Sequence, residues 1–437
     1  ARRCRAAASD ANSLLAWAAE KPTLTPRHRP LLLLAGCVVA LTTVLMVMAS
    51  MHGQWWTRLW LLLVAVQGTL MFVLRGRLGS VIAPPSQRSS PVERYRAIVA
   101  KIEEGLKDEP TSSAGRFEAL RGRLRGSGPS DRASTQLARL DRAAGFASVR
   151  HSALGHFLMN LGFMWDLWCA YGLDRWRAEH GAVLAAWLDA LHECEALSAL
   201  ATFAAEHPQY AWPTINATAG HFVARDLGHP LICTSDRVAN DIVLDGETAA
   251  LMITGSNMSG KSTMLRSIGI AAVLGQAGAP VCARSLEMSP MVLWTSMRVD
   301  DSLAEGASRF YAEIAKLKRI LDIVQAPEAP IVLFLLDEVL HGTNSRERNI
   351  GAKAIVRRLV ERGAVGAVSS HDLGLTSLEE LTGGRIENTH FEDHLEDGVM
   401  CFDYRMKRGP VATSNALRLM RAVGIDLEAL TENHGRS

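Results

Sequence analysis

The chain has 437 residues, 48% of them hydrophobic and 21% charged, with a formal net charge of +2 at pH 7. That length accommodates two or three domains, and the near-neutral charge gives no case for nucleic-acid binding from bulk electrostatics. Cys4, Cys37, Cys169, Cys194, Cys233, Cys282 and Cys401 are scattered without a Cys-x-x-Cys pair, which speaks against a zinc knuckle or a disulfide framework and suits a reducing cytosol. The first residue is Ala, as in a fragment or a processed form.

Leu31 to Met51 is a run of about 21 residues without a charge, long enough to cross a hydrocarbon core as a helix. After His52-Gly53-Gln54 a second apolar run extends from Trp55 to Leu74, interrupted only by Arg58. Trp55, Trp56 and Trp60 lie where an interfacial aromatic belt would sit. Arg27, His28 and Arg29 precede the first run, and Arg75 and Arg77 follow the second, which predicts both ends on the cytoplasmic side. Two long runs in tandem, with no cleavage site of small residues, argue against a signal peptide. The competing reading is a buried helical hairpin of a soluble domain. Charge-free runs of this length favour a membrane hairpin over residues 31–74.

Residues 79–92, with Pro84-Pro85 and Pro91, read as a linker. Glu93 to Lys107 and Arg116 to Arg125 read as short amphipathic helices. The excess of Arg and Lys between Arg75 and Arg150 suits anionic lipid, DNA or simply a solvated helix face. From Asp131 to about His207 the pattern is helical. Ala153 to Leu173 is apolar, but His156, Asn160 and Asp166 interrupt it, so it reads as a core helix rather than a third membrane span. Beyond Pro230, apolar runs at Asp241–Leu244, Ala249–Thr254, Ile331–Leu336 and Gly363–Ser369 alternate with helical stretches at Lys261–Gln276, Arg309–Val324 and Arg348–Arg362. This alternation predicts an α/β fold with a parallel sheet flanked by helices. The expected organisation is an N-terminal segment with two transmembrane helices (1–78), a linker with charged helices (79–130), an all-α core region (131–220) and an α/β domain (221–437).

Gly255-Ser256-Asn257-Met258-Ser259-Gly260-Lys261-Ser262 matches G-x-x-x-x-G-K-[ST] in full, after an apolar strand and before a helix. Glycines let such a loop wrap a phosphate, and the N–H groups at the helix start point at the anion. Lys261 is assigned to the β- and γ-phosphates of ATP and Ser262 to Mg²⁺, with Thr263 completing the nucleotide-binding loop. Ile331 to Leu336 then delivers Asp337 and Glu338 at a strand end, where ligands bind in an open α/β sheet. Asp337 is expected in the Mg²⁺ shell, and Glu338 as the group that orients or deprotonates the attacking water. Ser369-Ser370-His371-Asp372 ends a third strand, so His371 is placed as a γ-phosphate sensor. His390 and His394 lie four apart, but His390 falls in an expected strand and no H-E-x-x-H pattern is present, which makes a metal site there improbable.

These motifs carry a specific resemblance. The run Thr254 to Thr263 is similar to the P-loop of the MutS mismatch-repair ATPases, including its Asn257-Met258 pair. Asp337-Glu338 with Gly342-Thr343 resembles their Walker B segment, Ser308 to Glu313 their signature segment, and Ser370-His371 their histidine switch. Gly228-His229-Pro230 and Asn240-Asp241 resemble the family's approach to the loop, and 388–390 with 409–424 the end of its ATPase domain. The likeness runs over about residues 227–425 and is weaker over 131–213. It implies an ABC-type, MutS-like P-loop ATPase with a nucleotide site shared between two subunits, Ser308 acting in trans on the partner's phosphate. It also implies adenine near Arg237, Val238 and Asn240, where no aromatic stacker stands. Departures are Ser259 for a glycine, Leu340-His341 for Gly-Arg and Asn344 for a Ser. No Phe here has a Glu two residues later, the pattern of the family's mismatch reader, and there is no room for the mismatch-binding and connector domains.

The leading expectation is therefore a membrane-tethered, MutS-like ATPase that dimerises through ATP and acts on DNA. DNA rests on the resemblance alone. A transporter ATPase would need a Leu-Ser-Gly-Gly-type signature, which is absent. A nucleotide-switched membrane scaffold without a DNA role is the other alternative.

Overall fold

The computed structural model describes residues 12–24, 28–52, 59–82, 91–105, 114–126, 128–216, 220–256, 258–297, 309–340, 344–396 and 399–411. The chain forms two compact units, 1–198 and 199–437.

The first unit is helical: α1 (Arg29–His52), α2 (Leu59–Ile82), α3 (Pro91–Gly105), α4 (Ala114–Arg125), α5 (Ala133–Ala147), α6 (Ala153–Phe163) and α7 (Trp165–Glu206), whose last turns belong to the second unit. Both α1 and α2 are long and apolar enough to cross a membrane. They pack on each other through a buried polar contact, Gln67 Nε2 donating to Thr42 Oγ1 at 2.8 Å. The hydroxyls of Thr42, Thr43 and Thr69 donate to carbonyls four residues back, so these polar groups are absorbed within the helices. Large side chains such as Leu62, Phe72 and Val73 stand exposed on the outer faces.

Away from that pair the unit has an ordinary core. Trp17, from a helical stretch at 12–19, is buried and donates its indole N–H to Val81 O at 2.8 Å. Asp174 on α7 accepts from the backbone N–H groups of Thr23 and Leu24 and pairs with Arg177. Arg177 in turn donates to the carbonyls of Trp17 and Lys21. Every charge brought out of water in this staple thus has a partner, the condition under which a buried ion pair is tolerated.

The expectation of one core helix over 153–173 holds only for its second part, where Leu167, Ala170 and Leu173 are buried. The stretch breaks at Met164, which sits in the left-handed region with φ 53° and caps α6 through its N–H to Asn160 O. No residue of α6 is buried. Apolar composition records that a helix has an apolar face but not which way that face turns.

Among the described residues the second unit has ten strands in two sheets. One has the order β1-β5-β2-β3, from Thr214–Ile215, Ser285–Met288, Phe222–Leu227 and Asn240–Leu244. The other has the order β10-β9-β4-β8-β7-β6, from Val399–Arg408, Ile386–Glu396, Ala250–Thr254, Val365–Ser370, Val332–Asp337 and Val292–Ser296. Around them lie α8 (Lys261–Gln276), α9 (Arg309–Gln325), α10 (Ser345–Glu361) and the single turn α11 (Leu378–Leu381).

The fold class expected from the sequence, an α/β P-loop type built on a parallel sheet and preceded by a transmembrane hairpin, needs correction. Helix dominates the described residues, and both sheets are mixed. In the smaller sheet β2 runs antiparallel to both β3 and β5. In the larger, β10 folds back antiparallel on β9, while β4, β6, β7, β8 and β9 run parallel. Of the first two helices, what the structure establishes is their length and apolar surface.

The central strands read from the sequence are present because β4, β7 and β8 are buried on both faces. Such strands appear as continuous apolar runs. Asn344 caps α10, its side chain accepting from Glu347 N at 2.9 Å, and Asn is as good at that position as the Ser it replaces.

Candidate functional site

Strands β4 and β7 end side by side, separated only by β8, and the segments leaving their C-terminal ends make the site. After β4 the chain enters a glycine turn. Gly255 has φ 143°, and a Cβ there would lie 2.8 Å from Phe391 O. Gly260 has φ 109° and is the N-cap of α8, with a Tyr404 ring atom 3.3 Å from where its Cβ would be. Both positions therefore need glycine for conformation and for space. Met258, between them, has φ 69° and is exposed. Ser259 fits inside the turn and is buried; its hydroxyl, like that of Ser256, has no hydrogen-bond partner among the described residues. Asn257 lies outside the described residues.

Lys261 opens α8 and is buried. Its ammonium donates to Gly255 O at 2.8 Å and Ser256 O at 2.6 Å. Burial holds its pKa below the ordinary lysine value, against the opposite pull of Glu338 and Asp337. Ser262 and Thr263 follow on the first turn and line the same cleft.

After β7 come the two acids. Asp337 accepts a short hydrogen bond from Ser369 Oγ on the neighbouring β8, its register partner. Glu338 leaves the strand with φ 52°. Its N–H donates to Ser369 O at 3.2 Å, and its carboxylate lies 3.5 Å from His371 Nδ1. Leu340 also has a positive φ, and its N–H donates to Glu313 of α9. Two left-handed non-glycine residues within three positions are costly, and such strain persists where the surroundings enforce it.

A cleft of about 560 Å³ joins these parts. Its walls include Gly260, Lys261, Ser262, Thr263, Asp337 and Glu338, together with Val238, Asn240, His229 and Tyr404. Val238 and Asn240 line this cleft, and Asn240 uses both ends of its amide on β10. It donates to Tyr404 O at 3.0 Å and accepts from Met406 N at 2.7 Å. Those bonds hold the irregularity between Phe402 and Met406, where Tyr404 takes φ 53°. Arg237 points elsewhere: its guanidinium donates to Ile232 O and Cys282 Sγ and lies 5.6 Å over the Tyr210 ring.

Sequence reasoning gave Tyr404 no role, and His229 only a place in a motif. Burial, then the charges of Arg266 and Arg237, push the His229 pKa down. Its Nδ1 accepts from Leu231 N, so the neutral ring carries its proton on Nε2. Gly228-His229-Pro230 is visible as a motif. Nothing in the sequence marks Tyr404, which reaches the cleft only because β10 is kinked there. Ser308 lies outside the described residues, as do His341, Gly342 and Thr343.

Residues 251–435 match the family profile of MutS domain V. The chain is 31% identical over 283 residues to the DNA mismatch repair protein MutS 2 of Haloarcula marismortui, covering 60% of this chain and 29% of that protein. It is 33% identical over 190 residues to the DNA mismatch repair protein MutS of Streptococcus sanguinis, covering 43% of this chain and 22% of the relative. It is 32% identical over 230 residues to that of Methanosarcina mazei, covering 51% and 25%. The chain thus spans less than a third of the length of these relatives.

Proposed function

We propose that this chain is a MutS-type ATPase, anchored to a membrane by α1 and α2 and working as a dimer that closes on ATP. The observation that carries the catalytic part is the convergence of Lys261, Asp337 and Glu338 on one cleft beside a glycine turn. The fit to ATP rests on the residues themselves. Gly255 and Gly260 keep side chains out of a concave turn, and two buried serine hydroxyls there lack partners among the described residues. The N–H groups that open α8 add the positive end of a helix. The loop carbonyls that now hold the Lys261 ammonium are weaker partners for it than a phosphate oxygen, since charge-assisted bonds between two ions are stronger. Tyr404, which lines the cleft, offers the flat ring that the 237–240 segment lacks.

Ser262 and Asp337 are the two groups for Mg²⁺, a number that suits an ion held mostly by phosphates and water. Bound there, the ion would neutralise charge on the phosphates. Glu338 orients or deprotonates the attacking water, and His371, against its carboxylate, reports the γ-phosphate. Membrane attachment is supported by the length of α1 and α2 and by the apolar side chains they leave exposed. Such an apolar surface suits hydrocarbon. The partner's Ser308 segment is proposed to complete each site.

Titration of the detergent-solubilised full chain with a fluorescent ATP analogue tests the nucleotide reading. Lys261→Ala should weaken binding by about two orders of magnitude, the worth of an ion–ion hydrogen bond. Tyr404→Ala should weaken ATP binding about ten- to a hundredfold through lost stacking. Unaltered ATP binding by Lys261→Ala would remove the nucleotide site from the loop.

The relatives are named for DNA mismatch repair, and on that likeness DNA is the proposed partner. Binding to duplex DNA should then fall steeply with salt, the logarithm of the association constant being linear in log salt concentration. A flat salt response, or no binding at low salt, would favour the nucleotide-switched scaffold.

A further inference from the structure

We infer that α6, the Met164 corner and the first turns of α7 form a re-entrant segment that dips into the cytoplasmic half of a phospholipid bilayer beside α1 and α2. The inference rests on the membrane reading of those two helices and adds a third embedded element to it.

The first observation is the direction of the apolar face. Leu154, Phe157, Leu158 and Leu161 fall at i, i+3, i+4 and i+7, one stripe of a helix. In a water-soluble unit that stripe would face inward. Here Leu154, Phe157 and Leu158 are exposed by 71%, 60% and 55%. The polar residues of the helix, His156 and Asn160, turn inward instead. His156 Nε2 and Arg150 Nη2 lie 3.0 and 3.1 Å from the Asp166 carboxylate, and the Asn160 amide lies 2.6 Å from the same imidazole nitrogen. The arrangement is inside out for water and correct for lipid, where ionisable groups face protein and pair with one another.

The second observation is continuity. Leu161 packs against Gly68 of α2, and Arg150 reaches Gly79 of the same helix. The chain from 150 to 161 and the α2 stretch from 79 to 68 thus run side by side in opposite senses. Each covers about 16 Å, half of a hydrocarbon core of about 30 Å. Beyond Met164 the path returns: Trp168 lies on Gly36 of α1, and Tyr171 OH accepts from Arg29 at the start of that helix. The exposed face of α6 therefore extends the apolar surface of α1 and α2.

The third observation is the corner itself. Backbone that is not helical survives at membrane depth only where its polar groups are satisfied within the protein. The N–H groups of Met164 and Leu167 donate to Asn160 O and Met164 O, and that of Asp166 donates to Asn160 Oδ1. The Trp165 indole N–H donates to Phe146 O. Asn160 thus closes the corner with its backbone and its side chain together.

The test uses the full chain in the membranes of the cells that express it, with a photoreactive phenylalanine analogue at Phe157 and, in a second variant, at Leu158. Leu62 on α2 serves as the hairpin control and the exposed Asp189 on α7 as the aqueous one. After irradiation, mass spectrometry of the purified chain detects attached phospholipid. Lipid adducts at 157, 158 and 62, and none at 189, are expected. Adducts at 62 but not at 157 or 158 would overturn the re-entrant segment and leave the two-helix anchor standing. Cross-links from 157 or 158 to a second copy of the chain would overturn it as well, by making the face a protein interface. Absence of lipid at all four positions would remove the anchor and the inference together.

Discussion

Glutamine at position 338 should leave ATP bound at its normal affinity and lower hydrolysis by about 10²- to 10⁴-fold, the usual worth of a positioned general base. Glutamine keeps the shape of the side chain and the N–H bond from residue 338 to Ser369 O. It loses only the negative charge, which takes part in the contact with His371 Nδ1 and in drawing a proton from water. Lys261 and the glycine turn are untouched, so binding measured with an ATP analogue should not change. A companion substitution separates catalysis from strain. Glycine adopts φ 52° without penalty, so Glu338→Gly should lose the same activity with no loss of thermal stability. Hydrolysis at the normal rate by Glu338→Gln would take the base away from this residue. A fall in melting temperature for Glu338→Gly would mean that the carboxylate holds the turn together.

The parts of this site that the sequence displays are those carried by short, continuous signals. The loop from Gly255 to Ser262 and the acids at 337 and 338 come after strands whose every residue is buried or nearly so, and α8 starts and stops where its pattern does. Burial on both faces erases alternation and leaves an apolar run that is easily seen. The peripheral strands are different. Strand β2, Phe-Val-Ala-Arg-Asp-Leu, has exposed charges in its middle, and β9 and β10 alternate with His, Glu, Asp, Arg and Lys. Their pairing makes both sheets mixed, and it depends on long-range partners that no local window contains. Tyr404 is invisible because a tyrosine with positive φ has no sequence signature. The exposure of α6 is invisible because composition does not fix orientation.

Gly366→Ala should be among the most destabilising single changes in the second unit, at about 3 kcal/mol or more, the upper end of overpacking costs. Gly366 pairs with Phe334 across β7 and β8. An added Cβ would fall 2.0 Å from Phe334 O and 2.8 Å from two atoms of its ring. Neither strand can give way, because β8 is buried throughout and is paired on its other edge to β4. The same atom added in open space gives the control. Gly145 lies within α5 with nothing inside 4 Å of its Cβ position, so Gly145→Ala should stabilise by about 1 kcal/mol through helix propensity. Chemical denaturation of the two variants, followed by the release of bound nucleotide for the second unit and by helical signal for the first, reads both. Equal midpoints for Gly366→Ala and the unaltered chain would show that the contact between β7 and β8 can relax.

The amide of Asn240 sits in the smaller sheet and holds Tyr404 and Met406 in the larger one, across 164 and 166 positions of chain. Contacts of that span are entropically expensive to close and belong to the slow end of assembly. The glycine turn, by contrast, is made from residues within a few positions of one another. During refolding the turn's own hydrogen bonds should therefore form before Tyr404 is seated in the cleft. A chain emerging from synthesis would carry the turn with one wall of its cleft missing until β10, the last of the described strands, docks.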